Sequence, residues 1–176
     1  MQLAKSIVLV GFMGAGKSSI GRCIQRLAGL TRIDTDELAT MKLGMPISEI
    51  FLKHGESRFR EVETEVLREL ELRRPSIVVT GGGTVLRNKN VDLLRQLGTV
   101  VWLDADDEIL FERATRKSGR PLLEVENPRA SFKALLAARR PLYEEVAEIR
   151  IDTTKLTHDE VAEAILKRIE ELALQK

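Results

Sequence analysis

Cysteine is nearly absent: Cys23 stands alone in 176 residues, so no disulfide can form within the chain. A reducing cytoplasm is the expected compartment, and Cys23 reads as a small core-facing residue rather than a nucleophile or ligand. No apolar run approaches the ~18 residues of a membrane span, which excludes a membrane protein of the helical kind. A formal net charge of +1 leaves no large positive field to hold nucleic acid. Internal repeats, low-complexity runs and Pro/Gly/Ser linkers are missing, so one domain over residues 1–176 is expected. Met1–Lys5 leads straight into a strand pattern, and no targeting segment is read there. Neither heptads nor a large apolar patch is visible, and a monomer is the expectation. His54 and His158 lack partners at metal-ligand spacing and read as surface or capping residues.

What is present is a mixture of 43% hydrophobic and 31% charged residues, typical of a soluble globular chain long enough to bury a core. The hydrophobic pattern alternates strand and helix. Strands are expected at Ser6–Val10, Thr31–Ile33, Ile77–Thr80, Thr99–Leu103 (with Trp102 in the core) and Glu148–Ile151. Helices are expected at Lys17–Ala28 (stopped by Gly29), Glu37–Leu43, Ser48–His54, Glu56–Leu72, Asn90–Leu97, Asp106–Arg116, Arg129–Val146 (kinked at Pro141) and Thr157–Leu174. Thr157 and Glu160 have capping-box spacing. Lys117–Asn127, polar and holding Gly119, reads as a loop. Strand–helix alternation of this length implies an α/β chain, a parallel sheet with helices on both faces. Ligands of such sheets lie beyond the carboxyl ends of the strands, so the tips after Val10, Ile33 and Thr80 should converge.

The first tip is Gly11-Phe12-Met13-Gly14-Ala15-Gly16-Lys17-Ser18, a full match to G-x-x-x-x-G-K-[ST] between an apolar strand and a helix. Glycines there let the backbone fold its N–H groups into an anion nest, and the following helix adds its positive end. Lys17 would reach the β- and γ-phosphates of a nucleotide, Ser18 would ligate Mg²⁺, and Ser19 would support the loop. The second tip carries Asp34 and Asp36. Two-residue spacing in an extended segment would point both carboxylates one way, one toward the water shell of Mg²⁺ and the other toward an attacking hydroxyl. The competing reading makes Asp36 the cap of the next helix. Asp104, after Val100–Leu103, is a rival metal-side carboxylate ranked below Asp34. The third tip is Gly81-Gly82-Gly83, where glycine permits close backbone approach to a ligand. Arg58 and Arg60, Arg120, and Arg139 and Arg140 are each ordinary surface residues taken singly. Arginine is nevertheless the side chain that grips a carboxylate in bidentate fashion, and a loop arginine at 120 could close over phosphates.

These pieces together resemble the shikimate kinase family over nearly the whole chain: Gly-Phe-Met-Gly-Ala-Gly-Lys-Ser-Ser, Asp-Thr-Asp, Ile-Phe-Leu-Lys-His-Gly-Glu-Ser-Arg-Phe-Arg, Gly-Gly-Gly, Arg-Pro-Leu-Leu and Arg-Arg-Pro-Leu-Tyr, in family order. The resemblance implies a three-layer α/β/α P-loop NTPase fold like the nucleoside-monophosphate kinases. It would have a five-stranded parallel sheet in order 2-3-1-4-5 and a mobile lid near residues 117–127. It implies transfer of the ATP γ-phosphoryl to the 3-hydroxyl of shikimate with Mg²⁺. ATP would lie on Gly14, Ala15, Gly16, Lys17, Ser18 and Ser19, with Arg113 beside adenine and Arg120 reaching the phosphates from the lid. Shikimate would lie on Asp36, Arg60, Arg139 and the Gly81–Gly83 backbone, Gly82 above all, with Phe51 and Phe59 as apolar walls. Lys17, Asp36 and Arg120 would carry the chemistry, with Ser18 on the metal directly and Asp34 through water. A gluconate-type sugar-acid kinase and a catalytically inactive nucleotide-binding module are the alternatives.

Overall fold

The apolar runs become parallel strands because most of them are buried on both faces. In the computed structural model, which describes residues 5–116 and 121–175, β1 spans Ser6–Val10, β2 Thr31–Asp34, β3 Ser76–Val79, β4 Gly98–Asp104 and β5 Ile149–Asp152. They form one sheet in the order β2-β3-β1-β4-β5, parallel throughout. Val8 of the central strand pairs with Val78 on one side and Val100 on the other. Every residue of β1, β3 and β4 is buried, whereas the edge strands β2 and β5 include exposed positions.

The helices are α1 Lys17–Ala28, α2 Thr35–Leu43, α3 Ile47–Glu69, α4 Asn88–Leu97, α5 Asp107–Thr115, α6 Pro128–Val146 and α7 His158–Leu174. α1 packs against α7 and over β3, while α4 packs on β1 and β4 and against α3. Helices thus cover both faces, as right-handed β–α–β crossovers require. The expected break between two helices is visible inside α3, where Gly55 takes a non-helical φ of 75°. Pro141 does not interrupt α6, which runs through it as one helix with the proline on the exposed side. Of the expected loop, residues 121–127 open with a short turn at Pro121–Leu123; Lys117–Arg120 lie outside the described residues.

Two apolar clusters hold the chain. The larger one runs through the sheet and joins Ile7, Val8, Leu9 and Val10 to Ile20, Ile24, Trp102, Tyr143 and Ile165. Cys23 packs against it, half-buried, as expected. The smaller cluster, Ala39, Ile50, Phe59, Val62 and Val66, lies between α2 and α3. The carboxyl ends of β1, β2 and β3 open between these clusters.

Candidate active site

The turn after β1 is a backbone construction. Gly14 holds a φ of 87°, and a Cβ there would stand 2.3 Å from the Leu110 carbonyl oxygen of α5, so only glycine fits. Lys17, first in α1, curls back so that its ammonium donates to the Gly11 and Phe12 carbonyls at 2.7 and 3.1 Å. A pocket of about 270 Å³ sits over this turn, lined by Gly14, Gly16, Lys17, Ser18, Ser19, Arg113, Arg116 and His158. Ala15 is buried beneath the turn and does not line it. Arg113 is braced by Thr153, donating to its hydroxyl and carbonyl at 3.0 Å each. His158 is exposed, yet it lines the pocket rather than an outer face, while Thr157 caps α7 with the expected capping box.

The second tip corrects the sequence expectation. Asp36 does not sit in an extended segment: α2 begins at Thr35, so Asp36 lies in the first helical turn. Asp34 is the cap, its Oδ1 accepting from the Asp36 N–H at 3.1 Å. The two-residue spacing therefore sends the carboxylates apart. Asp34 turns toward Ser18, whose hydroxyl donates to its Oδ2 at 3.3 Å, and Arg32 holds the same oxygen at 3.0 Å. Asp36 turns toward Gly81, where a Cβ would lie 2.6 Å from its Oδ1. Burial, then the like charges of Glu63 and Asp34, push the Asp36 carboxyl from 3.8 up to about 7, against the pull of Lys17 and Arg60. Its Oδ1 is buried without a hydrogen-bond partner.

The third tip is where two buried arginines arrive from opposite directions. Arg60 of α3 stacks its guanidinium so closely under Gly83 that a Cβ there would lie 2.3 Å from the guanidinium carbon. Burial lowers the pKa of Arg60, but Glu63 and Glu56 together outweigh it. Glu63, at 0% exposure, holds Arg60 at 2.5 Å and accepts from the Thr84 hydroxyl at 2.7 Å. Arg139 of α6, 4% exposed, donates to the Gly82 carbonyl at 3.3 Å and lies over the Phe12 ring at 5.5 Å. Burial first, and then the neighbouring Arg60 charge, hold Arg139 below the usual arginine range. Among the described residues no carboxylate forms an ion pair with Arg139. Gly82 itself faces the phosphate turn: a Cβ there would be 3.6 Å from both the Gly11 carbonyl oxygen and the Met13 nitrogen. Phe51 and Phe59 pack together at 5.3 Å in the smaller cluster, with Phe59 wholly interior.

The three tips therefore meet in one cleft. Asp104 is absent from it: its buried carboxylate is taken by Arg140 at 3.2 Å and Arg150 at 2.8 Å. The same contact turns Arg140 away from Arg139. Arg58 binds Glu61 and Glu65 on the outer face of α3. Arg120 lies outside the described residues. Sequence reasoning missed Glu63 and Tyr143, the latter fully buried with its hydroxyl donating to the Gly82 carbonyl. Spacing could have found both. Glu56, Arg60 and Glu63 share one helical face, and Tyr143 lies one turn beyond Arg139.

Hard oxygen donors suit Mg²⁺, and Ser18 with Asp34 supplies two. Arg32 and the helix cap already occupy Asp34, which fits a carboxylate acting through water better than one bound directly. No three His, Cys, Asp or Glu side chains gather as a metal cluster among the described residues, so a cation here would keep water and phosphate as most of its ligands.

Comparison with known proteins gives a consistent picture. The profile of a family described as shikimate kinase matches residues 13–170. A shikimate kinase of Thermodesulfovibrio yellowstonii is 46% identical over 169 residues, 96% of this chain and 97% of its own. A solved shikimate kinase of Acinetobacter baumannii, in complex with shikimate, is similar at a TM-score of 0.90 and 41% identity, with 95% of this chain and 93% of that one covered. A gluconokinase of Sinorhizobium meliloti, at a TM-score of 0.58 and 22% identity over 100% and 99% of the two chains, shares the fold.

Proposed function

The chain belongs to the shikimate kinase family, and from that premise we propose that its cleft passes the γ-phosphoryl group of ATP to the 3-hydroxyl of shikimate. The products are shikimate 3-phosphate and ADP, a step in aromatic amino-acid biosynthesis. The observation that carries the reading is Arg139: a buried guanidinium with no carboxylate partner among the described residues, one glycine peptide away from the phosphate turn. Such a cation is costly to bury and demands an anion. A carboxylated alcohol held by Arg139 and Arg60 places its hydroxyl toward Asp36.

Phosphoryl transfer needs alignment and charge neutralisation more than covalent help. The nest of Gly14, Ala15 and Gly16 holds the polyphosphate tail, Lys17 leaves the Gly11 and Phe12 carbonyls for the β- and γ-oxygens, and Ser19 supports the loop. Ser18 directly and Asp34 through water would hold Mg²⁺, which would supply neutralisation of the phosphate oxygens. Arg113 flanks the base, and Arg120 is the further cation for the transferred group. Asp36 holds the acceptor hydroxyl and receives its proton, a task suited to a carboxyl displaced to about 7. Gly82, with Gly81 and Gly83, offers backbone to the substrate hydroxyls, and Phe51 and Phe59 back the pocket. No described helix is long and apolar enough to cross a membrane; we take the enzyme to work as a cytoplasmic monomer.

A coupled ADP-release assay with Mg·ATP tests this against shikimate and gluconate in parallel. Turnover on shikimate at least about 100-fold above gluconate is expected, since a pocket built around buried polar partners rejects a mismatched ligand strongly. Preference for gluconate would hand the site to the sugar-acid reading. ATP binding with no turnover on either would leave a nucleotide-binding module.

A further inference from the structure

The Gly82 carbonyl accepts two hydrogen bonds from one helix face. Arg139 and Tyr143 stand one turn apart on α6, on either side of Pro141, and both donate to it. The two bonds are unequal. Arg139 reaches it at 3.3 Å, near the limit of a hydrogen bond. Tyr143 is 1% exposed, stacked on Trp102 at 6.1 Å, and its phenol also interacts with the Arg139 guanidinium. Burial drives the Tyr143 hydroxyl far above its ordinary range, so it stays a donor.

The proposed function requires Arg139 to turn its donors toward the carboxylate of the acceptor. Doing so strips one donor from a half-buried carbonyl in the floor of the cleft, and once a bound acceptor shields it from water a carbonyl without a partner is unfavourable. We propose that Tyr143 is the positioning residue that makes this exchange possible. It keeps the Gly82 carbonyl satisfied while Arg139 departs, so the glycine backbone stays in register with the acceptor hydroxyls. Arg139 is then parked on Gly82 until the acid releases it, with Tyr143 as the fixed point. The inference rests on the proposed acceptor-carboxylate role of Arg139.

Tyr143→Phe removes the hydroxyl and leaves the ring to pack. In that variant Arg139 is the sole donor to the Gly82 carbonyl among the described residues, and its transfer to the acid leaves the carbonyl orphaned. The KM for shikimate should rise about tenfold, the effect of one unmade buried hydrogen bond, with the KM for ATP within about twofold of wild type. The effect should also depend on Arg139: in an Arg139→Lys background, Tyr143→Phe should raise the shikimate KM less than about threefold, because coupled residues are not additive. An unchanged shikimate KM, an equal rise in both KM values, or full additivity with Arg139→Lys would each overturn the inference. Nucleotide affinity, read by ADP calorimetry on the same variants, confirms that the fold is intact. Wild-type protein inactive on shikimate would instead sink the functional reading itself, so the two failures are separable.

Discussion

The two walls of the cleft are built from different materials. The nucleotide wall is backbone: a glycine turn, N–H groups and the end of α1, with Gly14 wedged against the Leu110 carbonyl so that the turn has one shape. The acceptor wall is side chain: Arg60, Glu63, Asp36, Arg139 and Tyr143, drawn from α2, α3 and α6 and resting partly on the smaller apolar cluster. A backbone wall is rigid and indifferent to what the phosphates carry. A side-chain wall can be specific, but it has to bury charge, and much of its structure is the management of that charge. Glu63 exists at 0% exposure because Arg60 and Thr84 saturate it, and Arg139 has no carboxylate among the described residues, so a ligand can supply one.

The comparison breaks most sharply at the lysine that the nucleotide wall directs at the reacting group. Lys17→Ala should lower kcat by about 10²–10⁴, the loss of one preorganised electrostatic donor, with the acid KM little changed. Near-normal turnover would mean that the backbone alone suffices. On the other wall, Arg139→Lys should raise the shikimate KM by about 10–100-fold and leave the ATP KM within twofold, because an ammonium cannot reproduce a bidentate grip. Initial-rate measurements over both substrates separate these signatures, and equal movement of both KM values would dissolve the division between the walls.

The walls also differ in how far the sequence reveals them. The phosphate turn is legible because a backbone nest needs contiguous residues, and contiguous residues make a motif. The sheet is legible for a similar reason: strands buried on both faces leave unbroken apolar runs. The acceptor wall is assembled from segments far apart in sequence, so spacing rules do not reach it, and only the family resemblance joined Arg60 to Arg139. The same limit explains the error at Asp34 and Asp36. Periodicity could not show that α2 starts at Thr35, and one helical turn was enough to send the two carboxylates to different partners. Asp104 misled for a related reason, since its strand-end position is right for a ligand but β5 and α6 bring two arginines to it. Glu63 and Tyr143 carried a weaker signal, charge and aromatic spacing on helical faces, that says nothing until the opposite surface is known.

Gly83→Ala tests the acceptor wall without removing any charge. The added methyl would overlap the Arg60 guanidinium, whose carbon would lie 2.3 Å away, and that guanidinium is tethered to Glu56 and Glu63. It cannot swing clear without breaking an ion pair. A shikimate KM raised about tenfold is expected, roughly one disturbed charge-assisted hydrogen bond, with ATP binding unaffected. A variant equal to wild type would mean that Arg60 is not held where the acceptor needs it.

The smallest effect concerns stability and follows from the carboxyl cluster. In the unfolded chain Asp36 titrates near 3.8; in the fold, burial with Glu63 and Asp34 beside it moves that to about 7. Between those pH values the folded protein holds a proton that the unfolded chain has lost, so this group's contribution to stability falls as pH rises from about 4 to about 7 and is level above. Asp36→Asn mimics the protonated form. It should therefore change the melting temperature of nucleotide-free, metal-free protein least near pH 4 and below, where the wild-type carboxyl keeps its proton in the fold and largely in the unfolded chain too. At pH 8 it should raise it by a few degrees, on the order of 1 kcal/mol once the amide's own desolvation is subtracted. Thermal unfolding of both proteins across that range decides it. A variant no more stable than wild type at pH 8 would mean that the acceptor wall carries Asp36 ionised without penalty, and the contrast between a backbone wall and a charge-strained side-chain wall would fail at its most acidic point.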